Sequence, residues 1–127
     1  MKFTVLKGSS VAEGTSLQSE FEGPYSELVK LFGAPERFKS GDKVDARWVL
    51  EYEDGTIATI YNYKSGRNYN GPDAPPVKSI RDWHIGGNDR RAVQRVAETL
   101  GIPTPLTWDQ KMLSIFDEYQ RGSSSEK

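Results

Sequence analysis

The 127-residue chain contains no cysteine. That excludes a disulfide, a zinc–thiolate site, an iron–sulfur cluster and a thiol nucleophile. It contains a single histidine, His84, and one imidazole cannot complete a metal site without carboxylates beside it. No run reaches the roughly 18 apolar residues of a membrane span. A basic excess is also missing: 17 Lys and Arg against 18 Asp and Glu leave a formal net charge of −1, which argues against a general nucleic-acid binder. The opening "MKFTVLKGSS" breaks off its apolar run at Lys7 and has no signal-peptide core, so it reads as a strand of a soluble intracellular protein. No cofactor and no metal are expected.

Large aromatic groups are plentiful, with three Trp, six Tyr and five Phe, and they supply the buried area a core needs. The length fits one domain, expected over residues 1–122, with 123–127 ("SSSEK") as a flexible tail.

Local patterns divide the chain into elements. "KFTVLK" (2–7) and "LQSEFE" (17–22) alternate as short strands. "GPYSELVKLFGAP" (23–35) reads as a helix with Pro24 at its first position and Tyr25, Leu28, Val29 and Phe32 on one face. "SIRDWHIGG" (79–87) reads as a strand with Arg81, Trp83 and Ile85 on one side and Ile80, Asp82 and His84 on the other. "NDRRAVQRVAETLG" (88–101) follows as a helix capped by Asn88, its stripe formed by Ala92, Val93, Val96, Ala97 and Leu100. A last helix over 107–122 carries a Thr107/Gln110 capping box. Its apolar face of Trp108, Met112, Ile115, Phe116 and Tyr119 is expected to pack on the domain, or else to form a dimer interface. The order defines a two-layer α+β domain with a central antiparallel sheet and about three helices.

The centre of that sheet is "ARWVLEYEDGTIATIYNYK" (46–64), a hairpin turned at Asp54-Gly55. A two-residue turn there pairs Tyr52 with Ile57, Leu50 with Thr59 and Trp48 with Tyr61. One face then holds Trp48, Leu50, Tyr52, Ile57, Tyr61 and Tyr63 and carries the helices. The other holds Arg47, Val49, Glu51, Ala58, Ile60 and Asn62 and has a wet side.

Two stretches are candidates for binding. In "WHIGGNDRR" (83–91) a strand ends in Gly86 and Gly87 just before a helix, with His84, Arg90 and Arg91 nearby. Free N–H groups at a helix start attract anions, and glycines let a ligand approach the backbone. The competing reading is a tight strand-to-helix turn, solvated arginines and a structural histidine. In "SGRNYNGPDAPPVK" (65–78), a long loop, Arg67, Asn68 and Tyr69 form a surface suited to a partner. Tyr61 and Tyr63 are expected in the core. Glu51, Glu53 and Asp54 at the hairpin end read as a solvated edge.

The blocks "GTSLQ" (14–18), "YSELVKLFGAP" (25–35), "KVDARWVLEYEDGTIATIYNYK" (43–64) and "DWHIGG" (82–87) occur in an order that resembles small accessory proteins encoded by tailed bacteriophages. The resemblance spans about residues 14 to 98. It implies a setting, the cytoplasm of an infected bacterium, and a role: non-catalytic inhibition of a host protein, such as a defence component. It carries no catalytic residues to this chain. The alternative is a protein that sequesters a small anionic ligand, a nucleotide or signal molecule, through the Gly86-Gly87 helix start and the Tyr/Asn-rich loop. An enzyme using His84 and Asp82 is the weakest reading, because no nucleophile or metal constellation accompanies them. A homo-oligomer is compatible with either reading.

Overall fold

An Asp-Gly pair does turn the central hairpin, but through three residues rather than two. Of the two, only Gly55 has positive φ, at 87°, and a type I′ turn needs it at both positions. Gly55 N–H donates to the Tyr52 carbonyl and Tyr52 N–H to that of Thr56, each at 2.9 Å. The loop is thus a type I turn over Glu53-Asp54 closed by a left-handed glycine. One extra loop residue shifts the register by one. In the computed structural model, which describes residues 1–125 with side chains to Gln120, Trp48 faces Ile60, Leu50 faces Ala58 and Arg47 faces Tyr61. Every side chain of the second strand therefore changes face relative to the expectation. Ala58 and Ile60 enter the core. Ile57, Thr59 and Tyr61 move to the opposite face, and Tyr61 is half-buried there rather than a core neighbour of the fully buried Trp48.

Six strands make one antiparallel sheet: β1 (Phe3–Leu6), β2 (Ser16–Glu22), β3 (Glu36–Arg37), β4 (Ala46–Tyr52), β5 (Ile57–Tyr61) and β6 (Asp82–Gly87). Their order is β1-β4-β5-β6-β2, with β3 paired to β4 beside β1. Two helices, α1 (Tyr25–Phe32) and α3 (Arg91–Leu100), cover one face. This is the expected two-layer α+β arrangement. A single helical turn, α2 (Arg67–Asn70), interrupts the long loop.

The covered face is held by aromatic contact. Trp48 and Trp83 meet edge to face at 5.4 Å, and Tyr25 of α1 lies 5.9 Å from the first and 6.4 Å from the second. Both indoles are buried, and both donate their N–H to residues flanking α1: Trp48 to the Gly33 carbonyl at 2.8 Å, Trp83 to the Gly23 carbonyl at 2.9 Å. Gly23 and Gly33 bracket the helix, so the two tryptophans fasten α1 at both ends. Ile80 also joins this core, contrary to the alternation expected of it. It sits at the end of a 3-10 turn (Val77–Ser79) before β6 begins, where strand alternation does not apply.

The helix after β6 starts later than expected. Arg90 rather than Asn88 occupies the cap position of α3 and contributes no side-chain bond. Asp89 takes that task by accepting the Arg91 N–H at 2.9 Å. Gly86 and Gly87 consequently lie inside β6, paired with β5 on one side and β2 on the other. They are glycines for packing reasons. A Cβ on Gly86 would stand 2.3 Å from Thr59 Oγ1, and one on Gly87 2.4 Å from the Ala92 methyl of α3.

The last helix, α4 (Trp108–Ser125), has the expected capping box: Thr107 N–H donates to Gln110 Oε1 at 2.9 Å, and Gln110 N–H to Thr107 Oγ1 at 3.2 Å. Its base is fixed to β2, where the buried Ser19 hydroxyl donates to the Leu106 carbonyl. Beyond that base the expected packing does not occur. Gln110 and Lys111 are half-buried on the sheet side, whereas Met112, Ile115, Phe116 and Tyr119 are 48–71 % exposed. The anchor orients the polar side of the helix towards the sheet, which leaves the apolar stripe outside. The helix also takes in residues 123–125, expected in the tail, while 126 and 127 lie outside the described residues.

Gly87→Ala is expected to force α3 off the sheet and lower the unfolding free energy by about 2 kcal/mol, with or without any ligand. Urea denaturation of the variant checks this; an unchanged midpoint would show that α3 accommodates the methyl.

Candidate functional site: an aromatic cleft beside a stapled loop

The 65–78 loop is tied down from within. Asp45 is 2 % exposed and stands just before β4. A buried carboxylate needs donors. It receives Asn62 Nδ2 on Oδ1 at 2.9 Å and the Asn68 N–H on Oδ2 at 3.1 Å. Asn62, fully buried, returns the bond by accepting the N–H groups of Asp45 and Ala46 at 2.9 and 3.1 Å. The Asn68 side chain donates to the Phe38 and Val44 carbonyls, both at 2.9 Å. Gly66 passes so close that a Cβ there would lie 2.2 Å from the Asp45 carboxylate. The asparagines are thus internal staples. Of the three loop residues proposed from sequence, Asn68 is consumed by this network, Arg67 bonds the Ala74 carbonyl through Nε at 2.9 Å, and Tyr69 remains exposed.

The network positions a different aromatic. Because β5 ends at Tyr61 and Asn62 turns inward, Tyr63 lies outside the core and is 41 % exposed. Lys64 follows with φ 57°, a left-handed conformation rare for a residue with a side chain, held by its N–H to the Lys43 carbonyl at 2.7 Å. Its ammonium rests over two rings, 5.4 Å from the centre of Tyr63 and 5.3 Å from that of Tyr69. On its other side Tyr63 stacks on His84 at 5.8 Å and 30°. Tyr61, facing His84 across β5 and β6, meets the imidazole edge-on at 5.4 Å.

His84 therefore lies on the face of the sheet that α1 and α3 leave free, among aromatic rings. It lines a cleft of about 370 Å³ with Tyr63, Ser65, Glu20 and Glu22 of β2, Asp82 of β6, and Lys111 of α4. Glu20 and Glu22 arrive because β2 pairs with β6, with Glu20 opposite His84 and Glu22 opposite Asp82. Burial pushes the His84 pKa below its ordinary value; Glu20 and Asp82 partly oppose this, and Lys111 reinforces it. The ring is neutral at pH 7. Burial, and secondarily the neighbouring Tyr63, raises the Tyr61 hydroxyl. Among the described residues no group of three or more His, Asp or Glu side chains is placed to hold a metal ion, and no helix is long and apolar enough to cross a membrane.

The other proposed residues do not converge on this cleft. Gly86 and Gly87 are enclosed in β6. Arg90 is exposed, and Arg91 is engaged with Asp89 through Nε at 3.3 Å and Nη2 at 3.0 Å. The carboxylate of Asp89 thus already occupies the positive end of α3. Of the residues singled out from sequence, only His84 lines the cleft, and Tyr69 reaches its rim through Lys64. Tyr63, expected in the core, and Asp82, the strand neighbour of His84, join it there. Glu20, Glu22 and Lys111 escaped attention as site residues, since only the β2–β6 pairing and the anchoring of α4 bring them to the cleft. No protein-family model matches the chain, and no curated protein matches it in sequence.

Asn62→Ala would leave the Asp45 carboxylate and two backbone N–H groups short of partners. It is expected to cost about 3 kcal/mol of stability, whereas Asn70→Ala at the exposed loop end should stay within about 0.5 kcal/mol. Chemical denaturation of the pair checks this difference.

The lowered His84 pKa sets a pH dependence. In the unfolded chain the ring takes its proton near 6.5; in the folded chain it does so only at lower pH. The folded state binds fewer protons across that window, so stability falls as pH drops below 6.5 and levels off once the folded ring titrates. Melting temperature against pH should show this decline, and His84→Gln should flatten it. Asp54, lowered to about 2, contributes in a separate window: its share is present above 3.8 and lost as pH falls through the folded value.

Proposed function

We propose that this chain is a binding protein that acts without catalysis, and that its recognition surface is the cleft around His84 with the rim formed by Tyr63, Lys64 and Tyr69. The observation that carries the reading is the held geometry of two exposed tyrosines, one on each side of the Lys64 ammonium, with Tyr63 stacked on His84 at the mouth of the cleft. Rigid aromatic side chains offer large contact area at low entropic cost and dominate binding energies at interfaces. The partner is a protein that presents a basic side chain. Glu20, Glu22 and Asp82 line the cleft against one lysine, and a group of carboxylates suits a guanidinium or ammonium group. The resemblance to phage accessory proteins supports the setting: the host cytoplasm, with a host factor such as a defence component as target.

The alternative, sequestration of a small anionic ligand at Gly86-Gly87, has less support from the geometry. Those glycines are sheet residues, and the start of α3 holds its own carboxylate.

Pull-down from bacterial lysate with the wild-type chain, Tyr63→Ala, Tyr69→Ala and Arg90→Ala tests the reading. A partner retained by wild type and Arg90→Ala is expected to be lost or weakened at least about tenfold with either tyrosine variant. Retention by all four proteins would remove the surface from consideration. Thermal stabilisation by nucleotides, abolished by Arg90→Ala, would favour the alternative.

A further inference from the structure

The stripe left outside on α4 is a second, independent feature. Trp108, Met112, Ile115 and Tyr119 follow one another at intervals of four, three and four residues, and Phe116 widens the same side. All five are 46–71 % exposed. Intervals of four and three are those of the seam between paired helices. No charged residue interrupts the seam. Lys111 and Glu118 flank one margin, and Asp109 and Phe116 the other.

We propose that α4 pairs antiparallel with α4 of a second copy of this chain. Area is the first argument. Five large side chains at this exposure present on the order of 500 Å² of apolar surface on one helix, the size of the largest patch on an ordinary monomer. A stable interface needs about 800 Å² per partner, so helix pairing with its margins supplies most of the requirement. Symmetry is the second. A two-fold axis between residues 113 and 114 places Met112 against Ile115 and Trp108 against Tyr119 of the second copy, so one patch completes itself. Orientation is the third. Antiparallel helices set opposite dipole ends together, which a parallel pair does not. The helix can take this role because its base is already fixed: the capping box and the Ser19–Leu106 bond hold its first turn, and the seam faces away from the sheet.

Light scattering of the full chain at micromolar concentration should give a particle of twice 14.3 kDa. Ile115→Asp should convert it to a monomer by weakening association at least about tenfold. Circular dichroism should remain that of a folded domain, because Ile115 contributes nothing to the core. Orientation is read by disulfide capture, which the cysteine-free chain permits. An equimolar mixture of Trp108→Cys and Tyr119→Cys should form cross-linked heterodimers under mild oxidation, while neither variant cross-links alone. A monomeric wild type overturns the proposal and leaves the stripe to another protein or a lipid surface. So does a dimer that persists in Ile115→Asp. Cross-linking of each variant to itself would show parallel pairing and overturn the orientation.

Discussion

A carboxylate with almost no access to water, that of Asp45, organises the end of the molecule that carries the 65–78 loop. Its oxygens find partners there because Asn62 and Asn68 deliver donors to them, and they can do so only if the end of β5 and the following loop fold back against the entry to β4. Everything nearby inherits this requirement. Gly66 has no side chain because the carboxylate occupies the space, and Asn62 turns inward, so the next residue, Tyr63, turns out. Lys64 takes an unusual backbone conformation, and its ammonium comes to rest between two tyrosines. The aromatic rim is thus the outer layer of a polar core. A rim built on buried hydrogen bonds is stiffer than a loop of this composition would be alone.

The opposite face depends on a different economy. Trp48 and Trp83 fill the centre of the core with their rings and use their only polar atoms to hold the two ends of α1. One short helix is thereby positioned without a side-chain cap of its own. The small residues Ala92, Val93, Val96 and Ala97 then bring α3 close over Gly87. Covering one face with two helices leaves the other free for His84 and its neighbours.

Much of this fold was legible in the chain, because α1, α3 and the hairpin carry strong periodicities with clear punctuation. The hairpin register was not. Asp-Gly suits both a two-residue turn and a type I turn closed by a left-handed glycine, and the second needs positive φ only at Gly55; a one-residue difference exchanged Ile57 and Tyr61 for Ala58 and Ile60 in the core. The loop's asparagines signalled a turn but not its partners, since Asp45 and Asn68 are 23 residues apart and nothing local announces their bond. The same limit hid the cleft: Glu20 and His84 are brought together by long-range strand pairing, which alternation does not encode. For α4, periodicity located an apolar face correctly but could not say what covers it.

The position of β6 in the chain has a consequence for synthesis. β2 emerges from the ribosome early, yet its sheet partner is β6, and Leu17 meets Gly86 across that pairing. Until the chain has grown past residue 87, β2 is a strand with both edges open, a state that invites association with other nascent chains. Contacts so distant in sequence also slow the closing of the sheet once the chain is complete. Glu20 and Glu22, whose carboxylates later line the cleft, put like charges on β2 during this interval and so discourage it from pairing with copies of itself.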